Sequence, residues 1–97
     1  MPAYLINYRE TPLRDPDSFA EYQRRNRETD PSEFKVTPLV VYGAVHALEG
    51  QAPDGVVMLQ FPTVEDAKAW YNSPAYQAAL PLRLNAAEYR TIIVEGL

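Results

Sequence analysis

Cysteine is absent from the 97 residues, which excludes disulfides, thiolate nucleophiles and cysteine metal sites. A single histidine cannot build a histidine-rich metal centre, and the acidic residues show no metal-ligand clustering, so no metal is expected. No apolar run approaches the roughly 20 residues that span a bilayer. The opening MPAYLINYRE lacks the basic start and long apolar stretch of a signal peptide, and the expectation is a cytoplasmic protein without a membrane segment. Cationic excess is missing as well. A net charge of −4 argues against a nucleic-acid backbone as partner. The densest basic cluster, Arg24, Arg25 and Arg27, lies beside Glu21 and Glu28 at helical spacing and reads as a self-paired, solvated face. There is no GxSxG, HExxH, P-loop, dinucleotide fingerprint or calcium loop, and no cofactor is expected.

What is present is an ordinary globular composition, 46% hydrophobic and 23% charged, enough for one domain over residues 1–97. AYLINYR (3 to 9) reads as a strand with Tyr4, Ile6 and Tyr8 on one face and Leu5, Asn7 and Arg9 on the other. Asp15 as cap and Pro16 in the first helical position predict a helix from about 16 to 28. TDPSEF repeats the Asp-Pro start, with Asp30 and Glu33 in capping-box positions, and predicts a short helical turn. LVVYGAVHAL (39 to 48) reads as a long strand with a bend at Gly43, and VVMLQF (56 to 61) as a third strand. Thr63 and Asp66 open a second helix carrying Ala67, Trp70 and Tyr71, and YRTIIVE (89 to 95) is the last strand.

The stretch SPAYQAALPLR (73 to 83) carries two prolines. The residue before a proline is pushed out of helical geometry, so the Trp70 helix should end near Asn72. Ser73 caps a new segment, and Pro81 stops that turn or starts another, predicting a step between 74–80 and about 81–87. Arg83 then falls near the start of a segment, where helix amides favour negative charge, so it needs a partner elsewhere.

The order of elements is β-α-β-β-α-β, the pattern of an α+β, ferredoxin-like protomer with a four-stranded antiparallel sheet. Helices cover one face of such a sheet, and Val57, Leu59 and Phe61 are expected beneath them. The other face is expected to carry Leu5, Met58, Tyr42 or Val41, and Ile93 or Ile92, mixed with Asn7, Arg9, Gln60 and Thr91. An exposed apolar patch on the order of several hundred Å² exceeds what most monomers tolerate, so a homodimer through that face is expected.

These motifs resemble the domain-of-unknown-function family 1330 of the dimeric α/β-barrel superfamily. The resemblance rests on PAYLI, DPDSFAEY, LEG at 48 to 50, LQFPTVEDAKAWYNSPAYQ at 59 to 77, the Arg83 position and the closing VEGL. It implies a ferredoxin-like protomer, a sheet-to-sheet dimer and a cavity between sheet and helices; it implies no settled activity. Where relatives usually show a tyrosine, two glycines and an arginine, Phe34, Lys35, Val36 and Thr37 stand here. An arginine followed by paired glycines in relatives aligns with Val41, Tyr42 and Gly43, which implies a more apolar pocket.

Three residues are candidates for chemistry. His46 is the one side chain whose ordinary pKa lies near neutrality, and by alternation it shares a face with Tyr42 and Leu48. Glu49, at a strand end, can orient a ligand, pair with Arg83 or simply serve the turn before Gly50. Arg83, between Leu82 and Leu84, must reach water, pair with a carboxylate or bind an anionic or carbonyl group. Asn7, Arg9, Tyr42, Met58, Gln60, Trp70 and Tyr76 are the candidate ligand-binding residues. Three readings fit: a cofactor-free enzyme acting on an apolar, carbonyl-bearing metabolite, a non-catalytic small-molecule binder, and a structural dimer whose pocket is merely core.

Overall fold

A computed structural model describes residues 1–28 and 31–97. The elements are β1 (Ala3–Arg9), α1 (Pro16–Arg27), a 3₁₀ turn (Pro31–Phe34), β2 (Thr37–Val41), β3 (Gly55–Phe61), α2 (Val64–Tyr71), α3 (Pro74–Ala86) and β4 (Tyr89–Glu95). The strands form one antiparallel sheet in the order β2-β3-β1-β4. This is the expected α+β ferredoxin-like order, with three helices on one face.

Local chemistry sets the helix starts. Asp15 accepts from the Ser18 amide at 3.1 Å, and Pro16 follows as the first helical residue. Thr63 accepts from the Asp66 amide at 3.1 Å, while the Asp66 carboxylate accepts a hydrogen bond from the Thr63 hydroxyl at 3.0 Å. Asn72 ends α2 and Ser73 caps α3. The 3₁₀ turn falls where a helical turn is expected; Asp30, the first residue of its supposed capping box, lies outside the described residues.

Four expectations are corrected. The strand expected over 39–48 ends at Val41. Tyr42 adopts φ 54°, a left-handed turn that takes the chain out of the pleat, and residues 43–52 run exposed, with Leu48 96% accessible. The sheet irregularity lies between Pro38 and Val40, not at Gly43.

The step at Pro81 does not occur. One helix runs from Pro74 to Ala86 with Pro81 inside it. Pro81 faces solvent, as does Gln77 four residues earlier, so the carbonyl that loses its partner meets water on the outer side of the helix. The opposite side is clamped by burial of Tyr76, Ala79, Leu80 and Arg83. Arg14 holds the far end, donating from Nε to the Asn85 carbonyl and from Nη2 to the Leu84 carbonyl, both at 3.0 Å. Arg83 therefore sits in the last turn, where the helix dipole favours a cation.

The faces also divide differently. Directly opposed residues of antiparallel strands share a face. Leu5 pairs with Leu59 and Ile93, and Asn7 with Val57 and Thr91. Leu5, Asn7, Arg9, Thr91 and Ile93 thus lie under the helices with Val57, Leu59 and Phe61. The uncovered face carries Tyr4, Ile6, Tyr8, Val56, Met58, Gln60, Ile92 and Val94. The core joins Leu5, Phe61, Trp70, Phe19 and Leu80 between sheet and helices.

Candidate functional site

Between the sheet and α1 the helices leave a pocket of about 380 Å³. Its floor is Leu5 and Asn7 of β1 with Val57 and Leu59 of β3, and Pro38 and Val41 of β2 close one side. Tyr22, Gln23, Asn26 and Arg27 of α1 form the roof, and Trp70, Tyr76 and Tyr42 complete the wall. Trp70 and Tyr76 are in ring contact, their centroids 4.2 Å apart. The lining is mostly apolar, which suits a small organic ligand.

Beside the floor, toward β4 and under α3, lies a buried polar network. Arg83 is 1% exposed. Its Nη1 donates to Asn7 Oδ1 at 2.9 Å, and Thr91 Oγ1 donates to the same oxygen at 2.7 Å. The guanidinium stacks over the Tyr89 ring at 4.5 Å. Its Nε is buried without a partner, and no carboxylate pairs with it among the described residues. A buried cation left without counter-charge is strongly disfavoured unless something answers it. Tyr22 and Tyr76 are buried in turn, their hydroxyls 2.9 Å apart. Burial raises both phenols above the ordinary tyrosine range, Tyr22 strongly, while the Arg83 charge opposes the rise.

At the pocket's edge Arg9 pairs with Asp54 at 2.8 Å and lies under the Tyr42 ring at 4.7 Å. The Tyr42 hydroxyl meets that of Tyr89 at 3.1 Å, and its ring lies against Gly55, where a Cβ would come within 2.6 Å of it. This close approach explains a glycine as the first residue of β3.

Of the candidates from sequence, Asn7, Tyr42, Trp70 and Tyr76 line the pocket, Arg83 stands directly behind Asn7, and Arg9 is held beside Tyr42. Met58 and Gln60 point to the uncovered face, because they alternate with the floor residues Val57 and Leu59. His46 and Glu49 lie exposed on the 43–54 loop, and Arg83 takes Asn7, not Glu49, as its partner. Tyr22, Tyr89 and Thr91 join the network although none was singled out as a site residue. Tyr22 reads as one more apolar helix position, and only its hydroxyl marked it as different. No group of three or more His, Cys, Asp or Glu able to hold a metal occurs among the described residues.

The fold and this internal pocket define a ferredoxin-like α+β domain with a cavity between sheet and helices. Solved structures share the architecture: a protein of unknown function from Rhodopseudomonas palustris is 22% identical with TM-score 0.73, over 99% of this chain and 82% of that one. A dimeric ferredoxin-like protein of unknown function from Bacteroides fragilis is 17% identical, TM-score 0.61, over 98% and 96%. An EthD-family protein from Bacillus halodurans is 15% identical, TM-score 0.62, over the whole of both chains. No protein of curated function matches. The chain belongs to the family described as Domain of unknown function (DUF1330), whose model matches residues 2–97. No helix is long and apolar enough to cross a membrane among the described residues.

Proposed function

We propose that this protein is a small-molecule-binding homodimer of the dimeric α/β-barrel type, its ligand an apolar, carbonyl-bearing metabolite. The observation that carries the reading is the pocket of about 380 Å³ whose apolar floor is interrupted by Asn7, with buried Arg83 behind it. A purely structural core would gain by filling that space, since unfilled volume weakens packing. Among the described lining residues there is no carboxylate and no imidazole, and the buried phenols hold their protons. Such a site binds and polarises a carbonyl; proton removal would need a base brought by ligand or water. Native mass spectrometry of protein purified from its own host tests this. A co-purifying organic molecule released on unfolding is the expected result; apo protein that also binds nothing from a library of small apolar carbonyl compounds refutes it.

Dimerisation is supported by the uncovered sheet face, where Ile92 and Val94 are 42% and 44% exposed beside half-buried Ile6 and Met58. The Bacteroides fragilis neighbour is dimeric. Sedimentation at micromolar concentration should give twice the chain mass, and Ile92→Glu should give monomer; a monodisperse parent monomer refutes the dimer.

A further inference from the structure

At the floor and along the Tyr22–Tyr76 wall the polar groups turned to the pocket are donors, while the roof adds the amides of Gln23 and Asn26 and the Arg27 guanidinium. Asn7 Oδ1 faces Arg83 Nη1 and Thr91 Oγ1. A guanidinium has no acceptor, so the atom it meets is the amide oxygen, and the orientation of Asn7 is fixed. Both N–H bonds of Nδ2 are therefore left on the pocket side, and no protein acceptor takes them among the described residues. The Tyr22 and Tyr76 hydroxyls share one hydrogen bond, which uses one of their two hydrogens. The second finds no acceptor among the described residues, and both rings line the pocket. Because both phenols stay protonated, the pair donates to a ligand.

Arg83 strengthens both donors. Its bond to Oδ1 polarises the Asn7 amide, and its charge lies close enough to Tyr76 to favour negative charge there. No carboxylate among the described residues pairs with Arg83, and its Nε is buried without a hydrogen-bond partner. Donors held in fixed positions beside a buried cation are what stabilises an oxygen anion.

We infer that Asn7 Nδ2 and the Tyr22–Tyr76 hydroxyl pair, with Arg83 behind them, form an oxyanion site, and that the pocket takes an oxygen acid with an apolar body as its anion. The inference rests on the reading of the pocket as a ligand site and adds the charge state of the ligand. Enols, phenols and carboxylic acids share this chemistry.

The test uses 4-nitrophenol, whose ionisation is read by absorbance, and nitrobenzene, of similar shape without the acidic hydroxyl. Bound 4-nitrophenol is expected to ionise at least about one pH unit below the free compound, a tenfold preference for its anion. At a pH where it is bound ionised, it should bind about tenfold or more tighter than nitrobenzene by calorimetry. Asn7→Asp keeps a partner for Arg83, replaces the Nδ2 donors by an acceptor oxygen and should abolish the preference while nitrobenzene still binds. Gln60→Leu, on the other face, should leave both probes unaffected. Equal binding of the two probes, or no lowering of the ionisation pH, overturns the oxyanion site and leaves the pocket reading standing. If neither probe binds, the oxyanion site is overturned, and the pocket reading is decided separately by native mass spectrometry and the carbonyl library.

Discussion

Replacing Arg83 by methionine removes a buried charge while keeping a long, unbranched side chain in its channel. Against the variant stand the loss of a charged hydrogen bond to Asn7, about 1.5–3 kcal/mol, and of stacking on Tyr89, about 2 kcal/mol when desolvated. In its favour stands relief of burying a guanidinium that has no carboxylate partner, which is several kcal/mol. The orphaned Nε accounts for about 1–3 kcal/mol of that. Asn7 Oδ1 keeps its bond from Thr91 at 2.7 Å, so no acceptor is stranded. The two sides are of similar size, and Arg83→Met should change stability by less than about 2 kcal/mol. Arg83→Ala, which leaves a cavity, should lose about 2–5 kcal/mol. Urea unfolding followed by circular dichroism checks this, at fixed protein concentration because an oligomer's stability depends on it. With stability nearly intact, Arg83→Met should lose the anion preference of the pocket. If Arg83→Met is as damaging as Arg83→Ala, the arginine is retained for structure and the argument from its missing counter-charge collapses.

Burial, with hydroxyl pairing added, holds the phenols of Tyr22 and Tyr42 far above the ordinary value of 10.0, and burial raises Tyr76 as well. The unfolded chain releases these protons near its ordinary value while the folded chain keeps them, so this contribution to stability is present below about pH 10 and lost as pH rises beyond it. In an alkaline titration part of the phenolate absorbance should therefore appear only together with loss of the circular-dichroism signal; complete ionisation of a still-folded chain would contradict the buried network. Lys35, exposed at φ 57°, occupies a left-handed position, and Lys35→Gly should stabilise by about 0.5–1 kcal/mol in the same urea assay. Tyr42 shares that backbone geometry at φ 54°, but its ring is held by Arg9, Phe19 and Tyr89, so Tyr42→Gly should destabilise despite relieving the backbone. Gly55→Ala should cost about 1–3 kcal/mol through the Tyr42 ring, and less when combined with Tyr42→Gly, a coupling that a double-mutant cycle reads directly.

Residues a few positions apart determine much of this protein by themselves. The alternation of AYLINYR makes a strand, Asp15 with Pro16 and Ser73 with Pro74 start helices, and Thr63 with Asp66 starts another, because caps and side-chain periodicity act within one turn or pleat. Asn7, Tyr42, Trp70, Tyr76 and Arg83 stood out in the sequence because polar or bulky groups in apolar company need partners, and they gather around one pocket. What tertiary structure decided are relations between distant segments. Which face of β1 is covered follows from where α1 and α3 pack, not from the alternation, which is symmetric between the two faces. Pro81 sits within a helix because its position on the solvent side, fixed by burial of the opposite stripe, leaves the orphaned carbonyl to water. His46 and Glu49 fell outside the site because one left-handed residue, Tyr42, turned an apolar run out of the sheet. Arg83 found its partner on Asn7, across 76 positions of chain, and a contact that far apart carries no local signal: only the folding of α3 over β1 brings the two together.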